Sequence, residues 1–460
     1  MATDRRTPAL IFGPLLAVGT ALLCLSSGLA TPAAGTAAVT TLCAVWWVTL
    51  AIPIPATSLI PFAVLPLLGI LDRKEVATAY GHPMIMLLLG GFLLSTAMER
   101  SGAHRRLALG MVRAVGGDGG RRLVLGFMIA CALLSMWISN TATTLMLLPI
   151  AIAVLDQDET GELATPLLLG IAYSASIGGL GTPVGTPPNV IFLGAYQELT
   201  GNDMSFAHWM TIAVPIVVLM IPLTWAWLTR NLSSQHQLQL PQVGAWRSAE
   251  KRVLGVFTLT AIAWVTRREP FGGWSGALDL PGVGDGTVAF AAVIAMFLIP
   301  DGNKQGERLL DWETANRIPW GLLILFAGGI ALAKAFGASG LSAALGSALS
   351  ALASWPTLLM LVALCLAVTF LTELTSNTAT SSLLMPILAA ASIAAGLEPA
   401  TLMVPAALSA SCAFMLPVAT APNAIVFGTD RLPIQQMVRH GIVVNLLGVV
   451  IISAVCFARL

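Results

Sequence analysis

The sequence predicts an all-α polytopic membrane protein made of two inverted repeats, with about 11 transmembrane helices and two re-entrant helical hairpins. Three observations predict it. First, 57% of the 460 residues are hydrophobic and 10% are charged, with a mean hydropathy of +0.85; a soluble domain carries about a quarter charged residues. Second, a polar triplet, Ser139-Asn140-Thr141, stands in the middle of an apolar segment and returns as Ser376-Asn377-Thr378. Eight of the twelve positions from Ser139 to Ile150 recur at an offset of 237. Third, this is one of four blocks that recur in the same order. Gly90-Gly91 and Ser101-Gly102 return as Gly328-Gly329 and Ser339-Gly340 at an offset of 238, and Thr182 to Gly194 matches Leu416 to Gly428 at 234. Order and nearly constant offset together mark a duplication.

The elements follow in chain order. Residues 1–34 hold Arg5-Arg6 and an apolar run, 9–29, that reads as a first membrane helix, retained rather than cleaved. The first repeat, 35–229, opens with apolar segments at 35–52, at 56–71 (short and rich in proline) and from His82 to about Glu99. Arg100, Arg105, Arg106, Arg113, Arg121 and Arg122, spaced among Leu, Met and Val, then predict an amphipathic helix on the cytoplasmic face. The segment 122–157 carries the first triplet at its centre and is long enough to cross once with excess, or to enter and return as a hairpin. Residues 163–198 are interrupted by Gly181-Thr-Pro-Val-Gly-Thr-Pro-Pro-Asn189, whose prolines and glycines predict a broken helix. A crossing at 206–229 closes the repeat.

A cytoplasmic loop, 230–251, leads to the second repeat, 252–460, with crossings at 252–266 and 286–299, a hairpin at about 356–395 and a broken helix at 400–428. With the N-terminus cytoplasmic, 17 of the 23 lysines and arginines fall on the cytoplasmic side, while 335–356, the counterpart of the arginine stretch, has no charge. Five crossings and one hairpin per repeat give the two repeats opposite orientation, and the charge asymmetry agrees. The C-terminus then lies outside.

Several chemistries are excluded early. No basic cluster resembles a nucleic-acid surface, and the six cysteines are scattered through apolar stretches without metal spacing. The five histidines lie at segment ends or in loops, and Gly178-Gly-Leu-Gly181 has no strand before it, so neither a catalytic constellation nor a phosphate loop is expected. The polar groups inside the membrane are hydroxyls, amides and freed carbonyls at four places: the two triplets and the two proline breaks. One triplet alone would read as a helix N-cap; two in one chain need a shared cause. In each of the four places a half-helix begins just after the polar group, and Pro188 and Pro422 suit a first turn. Four helix N-termini converging on one cavity favour an anion without lysine or arginine, and neither residue occurs in 123–198 or 356–428. Facing carbonyls with Asn and Ser oxygens suit a hard monovalent cation such as sodium.

At this point the sequence resembles a known family. The paired Ser-Asn-Thr motifs, the proline-rich breaks, and Asp311-Trp312 followed by Ile318-Pro-Trp-Gly-Leu-Leu-Ile-Leu-Phe-Ala-Gly-Gly look like the divalent anion:sodium symporters, the INDY-type dicarboxylate carriers, from Trp46-Trp47 to Gly428. The resemblance implies a homodimer in a bacterial inner (cell) membrane, each chain with a scaffold domain and a transport domain that moves like an elevator. It also implies sodium as coupling ion and no organic cofactor. Carried over, one sodium site uses Ser135, Ser139, Asn140 and the Gly185 carbonyl, and the other Thr372, Thr375, Asn377 and the Ala419 carbonyl. Substrate carboxylates meet Asn140 and Thr141 on one side, and Ser376, Asn377, Thr378 and Thr420 on the other. Ala421 stands where many relatives have proline, and Thr375 where they often have a small apolar residue.

Glu373, a carboxylate before the second tip, is costly at mid-membrane unless paired or protonated; it is expected as a structural hydrogen-bonding group or as a cation or proton site. The leading expectation is sodium-coupled uptake of a C4-dicarboxylate such as succinate, fumarate or malate. Alternatives are citrate or sulfate as substrate, dicarboxylate exchange, or proton coupling through Glu373. An ion channel would need a continuous polar path, and a membrane-embedded enzyme a cluster of His, Asp or Glu that the sequence lacks.

Overall fold

The computed structural model describes residues 6–116, 119–158, 160–232, 244–269, 271–302, 306–348 and 355–460. Arg5, residues 233–243 of the loop 230–251, and 349–354 of the uncharged stretch lie outside the described residues. The described chain is helical throughout, with a single isolated bridge between Pro300 and Arg308.

α1 (Arg6–Ser26) packs antiparallel on α2 (Thr31–Thr49). The proline-rich third segment does not form one helix. It splits into α3 (Ile54–Thr57) and α4 (Ile60–Leu67), because each proline removes an amide donor and fixes its φ. Ser58 holds the break: the Trp47 indole donates to its hydroxyl at 3.0 Å, and the Tyr80 hydroxyl donates to its carbonyl. α5 (Arg73–Tyr80) starts on an Asp72/Glu75 capping box. α6 (Pro83–Ser101) ends at left-handed Gly102, and α7 (Ala103–Gly116) carries the arginines.

α8 (Gly120–Ser135) and α9 (Asn140–Leu155) form the first hairpin. α10 (Ala164–Gly179) and α11 (Pro187–Thr200) are the first broken helix, and α12 (Phe206–Thr229) follows. The second half runs through α13 (Ser248–Val265), α14 (Gly273–Ala277), α15 (Asp285–Leu298), α16 (Trp312–Ala315), α17 (Trp320–Ala338) and α18 (Leu341–Ala348). It continues with the second hairpin, α19 (Thr357–Thr372) and α20 (Asn377–Ala394), the second broken helix, α21 (Ala400–Ala410) and α22 (Ala421–Phe427), and α23 (Ile434–Arg459).

Among the described residues, six helical stretches have the length and hydropathy to cross a bilayer, at 8–26, 73–101, 206–229, 320–338, 377–394 and 434–459. The hairpin helices α8, α9 and α19 have 16 residues each. At 1.5 Å per residue that is about 24 Å, short of a hydrocarbon core of roughly 30 Å.

The two halves interlock. α9 of the first hairpin packs on α22 of the second broken helix, and α20 of the second hairpin packs on α11 of the first. α10 and α21 lie at the centre: α10 is buried from Pro166 to Gly179, and every residue of α21 is buried. A second group, α6 with α13 and α15, and α17 with α2 to α5, flanks this core.

Candidate functional site

Both triplets open onto one cavity of about 730 Å³. Ser139, Asn140 and Thr141 form one wall, and Thr375, Ser376, Asn377 and Thr378 the other. The breaks contribute Gly185, Ala419, Thr420 and Ala421, and Glu373 lines it as well. Of the carried-over residues only Ser135 and Thr372 are absent from the wall. They stand directly behind it and bind the asparagines. Among the described residues, no lysine or arginine lines the cavity.

The two halves repeat the same bonding pattern. The Ser135 hydroxyl lies 2.6 Å from Asn140 Oδ1 and 2.7 Å from the Ala175 carbonyl. The Thr372 hydroxyl lies 2.7 Å from Asn377 Oδ1 and 2.9 Å from the Ala410 carbonyl. A hydroxyl carries one proton, so it serves one acceptor at a time. Turned to the asparagine, it satisfies the amide oxygen. Turned to the helix carbonyl, it leaves its own oxygen and Oδ1 both presenting lone pairs, and no donor is orphaned. A hard cation needs that second arrangement.

In the first half bare backbone lies against the asparagine oxygen. A Cβ on Gly179 would lie 2.8 Å from Asn140 Oδ1 and 3.1 Å from the Gly185 carbonyl, and a Cβ on Gly185 would collide with the Gly179 backbone. Two bare glycine backbones therefore pass each other beside the oxygens. The position equivalent to Gly179 in the second half is Ala413. There Thr375 lines the cavity, but its hydroxyl donates to the Leu371 carbonyl at 2.9 Å and lies 2.6 Å from Thr380 Oγ1.

Four helices begin at this cavity, with N-caps Ser139 (α9), Thr186 (α11), Ser376 (α20) and Thr420 (α22). Ser139 Oγ accepts from the Ala142 amide at 3.1 Å and Thr420 Oγ1 from the Asn423 amide at 3.2 Å, whereas Ser376 makes no side-chain cap. α22 has seven residues, so its end carries less of the dipole than the other three.

Two clamps hold the breaks open. Asn189 Nδ2 donates to the carbonyls of Gly179, Leu180 and Thr182, and Asn423 Nδ2 to those of Ala413 and Leu416. These asparagines and Thr186 were not singled out from the sequence. The signal was present, since all three fall in the block that recurs at an offset of 234. The loops are then tied to the tips differently. In the first half the Thr182 hydroxyl donates to the Met136 carbonyl. In the second, Glu373 Oε1 accepts from the amides of Phe414 (2.7 Å) and Met415 (2.8 Å) and from Asn445 Nδ2 (2.8 Å), and Oε2 accepts from the Leu416 amide at 3.1 Å.

Residues 8–458 match the family model described as the sodium:sulfate symporter transmembrane region. The chain is 42% identical, over 97% of its length and 90% of the relative's, to the sodium-dependent dicarboxylate transporter SdcS of Staphylococcus saprophyticus. It is 40% identical over the same shares to the SdcS of Staphylococcus aureus. Among solved structures, the YdaH transporter of Alcanivorax borkumensis, whose topology is described as unusual, aligns with a TM-score of 0.62 over 91% of this chain and 98% of that one, at 16% identity. That likeness is one of fold alone. The family and its relatives are transporters rather than enzymes, and the doubled Ser-Asn-Thr cavity lies wholly within the matched residues: this chain is a multi-pass membrane protein of the sodium:sulfate symporter family, the divalent anion:sodium symporters.

Proposed function

We propose that the chain carries a C4-dicarboxylate such as succinate, fumarate or malate across the bacterial inner membrane together with sodium, by alternating access. The observation that carries this reading is the cavity in which two hydroxyl–asparagine pairs, two bare carbonyls and four helix N-termini meet without a basic side chain. A dicarboxylate brings two negative charges. Four helix ends supply roughly half a positive charge each at most, and the short α22 lowers that sum. Cations beside Asn140 and Asn377 make up the difference. Each amide then bridges, its oxygen toward the cation and its Nδ2 toward a carboxylate, while Thr141, Thr378 and Thr420 donate hydroxyls. The names of the 40–42% identical relatives support both sodium and dicarboxylate.

The remaining features of the cycle rest on the shape of the cavity. Leu50, Ile54 and Pro319 also line it, and Pro319 follows Arg317 by two residues. The opening is assigned to the arginine-rich side, which the positive-inside rule gives to the cytoplasm, with the N-terminus. The hairpins and broken helices are assigned to the moving domain, the α6/α13/α15 and α2–α5/α17 groups to the scaffold, and two chains to a homodimer. Glu373 is assigned a structural role, because four donors already occupy its lone pairs; this disfavours proton coupling. Uptake of labelled succinate into proteoliposomes tests the reading. Replacing external sodium by potassium or choline should lower dicarboxylate affinity at least tenfold, about 1.4 kcal/mol. Uptake of citrate or sulfate in preference to succinate, or exchange without sodium, would replace it by one of those alternatives.

A further inference from the structure

We propose that a basic recess at the arginine-rich end of α12 and α23 holds the phosphate headgroup of an anionic phospholipid. The recess, about 340 Å³, is lined by Arg230, Arg439, His440, Gln436, Thr165 and Glu162. Arg439 makes no hydrogen bond or ion pair among the described residues, and Arg230 has no carboxylate partner there. Arg230 lies flat on Trp227, with its guanidinium carbon 3.5 Å from the ring centroid, and spends one N–H on the Trp227 carbonyl at 2.5 Å. Its other N–H groups are left to serve a ligand. Arg431, close by in sequence, is paired with Asp156 at 2.7 Å and is not counted. Glu162 at the rim leaves the recess net positive, and from Arg230 to Ala249 the sequence has no acidic residue.

Independent observations point to an anion. α10, of 16 residues, and α23, of 26, both begin here, with Thr165 and Gln436 in their first turns. Helix starts carry partial positive charge and point amide donors outward. His440, 9% exposed, packs edge-on against Trp227, and its Nδ1 is buried without a partner. A guanidinium pair with helix-end amides suits phosphate oxygens.

The flank of the recess decides for a lipid over a soluble anion. α12 and α23 pack side by side, and next to the recess they expose Leu219 and Leu223, and Ile442, Leu446 and Val450. A phosphate in the recess would set its acyl chains along that flank. The tryptophans Trp225 and Trp227 stand at the level where a headgroup meets the chains. Basic pockets between helices on the cytoplasmic side are where anionic headgroups gather.

The test compares wild type with the Arg230→Gln/Arg439→Gln double variant, purified in mild detergent. The readouts are bound phosphatidylglycerol, quantified by mass spectrometry, and melting temperature with added phosphatidylglycerol, phosphatidylcholine or inorganic phosphate. Arg317→Gln, a surface arginine on the same side paired only with Glu313, controls for loss of charge. Wild type and the control should retain phosphatidylglycerol and be stabilised by it and by neither other addition. The double variant should lose retention about twenty-five-fold, since each basic residue near an anionic lipid contributes roughly a factor of five. Equal retention by all three proteins would overturn the proposal. Stabilisation of wild type by inorganic phosphate alone would overturn it in favour of a soluble anion. A double variant that elutes aggregated is replaced by Arg439→Gln, at an exposed position, whose loss should lower retention about fivefold.

Discussion

Trp137, directly before the first tip, lies nearly parallel to Phe206 and Trp264, with ring centroids 5.9 and 6.3 Å away, and meets Phe257 edge-on at 5.7 Å. Its counterpart before the second tip is Leu374, which is 78% exposed, and Val418 on the adjoining break is 86% exposed. Beneath these surfaces the two halves match nearly bond for bond: hydroxyl to asparagine, hydroxyl to helix carbonyl, asparagine clamp to break. The duplication has kept the polar chemistry and allowed the packing around it to diverge. Polar groups in a buried site have few satisfactory partners, so their geometry is hard to change. An apolar flank needs only area and shape, and the alternating access proposed above would need its two flanks to be unequal at any moment. The difference between the tips therefore reads as one side packed and one side open.

Four experiments break or sharpen that comparison. The largest effect is expected from Asn140→Ala and Asn377→Ala. If the two halves are chemically equivalent, each should abolish succinate uptake while the protein still elutes as a folded species, because each loses a charge-assisted bond worth about 1.5–3 kcal/mol. Near wild-type uptake by either would reduce that triplet to a helix cap.

Next comes the tie between break and tip. Glu373→Gln keeps one acceptor oxygen for the amides of Phe414 and Met415 but turns its NH2 on the Leu416 amide and removes the charge from every bond; an unpaired buried amide alone costs about 1–3 kcal/mol. Thr182→Val in the first half removes one neutral bond, worth about 1 kcal/mol. Thermal unfolding should therefore rank Glu373→Gln well below Thr182→Val, and equal melting temperatures would mean that the carboxylate is no tie.

A smaller and more selective effect belongs to Gly179→Ala, whose methyl group would sit 2.8 Å from Asn140 Oδ1. The sodium concentration for half-maximal uptake should rise about tenfold, the equivalent of about 1.4 kcal/mol, with little change in melting temperature. Ala413→Gly, which makes the second half resemble the first, should leave it within about twofold.

The smallest effect is electrostatic and lies outside the site. The Thr314 amide donates to Asp311 at 2.8 Å, and this bond, with Arg100 alongside, holds the Asp311 carboxyl below the ordinary aspartate range. A depressed carboxylate contributes stability that is present above its unfolded value, near 4, and lost as the pH falls through its folded one. Asp311→Asn should lower the melting temperature slightly at pH 7 and by less near pH 3. The same loss at both pH values would rule out a charge effect.

Much of the site was legible in the chain because its signals are local. A Ser-Asn-Thr in an apolar run, or Pro-Pro after Gly-Thr, breaks a helix wherever it stands, and the duplication shows which breaks belong together. The proline-rich segment at 56–71, expected as a crossing, instead folds as two short helices, because its prolines remove amide donors. Thr186, Asn189 and Asn423 needed only the same offset applied to every polar residue. Glu373 was different. From sequence it was a lone mid-membrane carboxylate, and the four groups it binds lie 41 to 72 positions further along.

What the sequence by itself determined is therefore the class of protein, the places where helices stop, and the set of polar groups that must find partners away from lipid. Hydropathy, proline and hydroxyl chemistry act over a few residues and do not depend on the rest of the chain. Tertiary structure alone decided how those places meet. It laid α9 on α22 and α20 on α11, so that each tip faces the other repeat's break. It also brought the bare backbone of Gly179 beside Asn140, packed Trp137 and left Leu374 open. These outcomes depend on which helix face meets which. Many distant apolar contacts set that jointly, each worth a fraction of a kcal/mol and none of them visible in a short stretch of sequence.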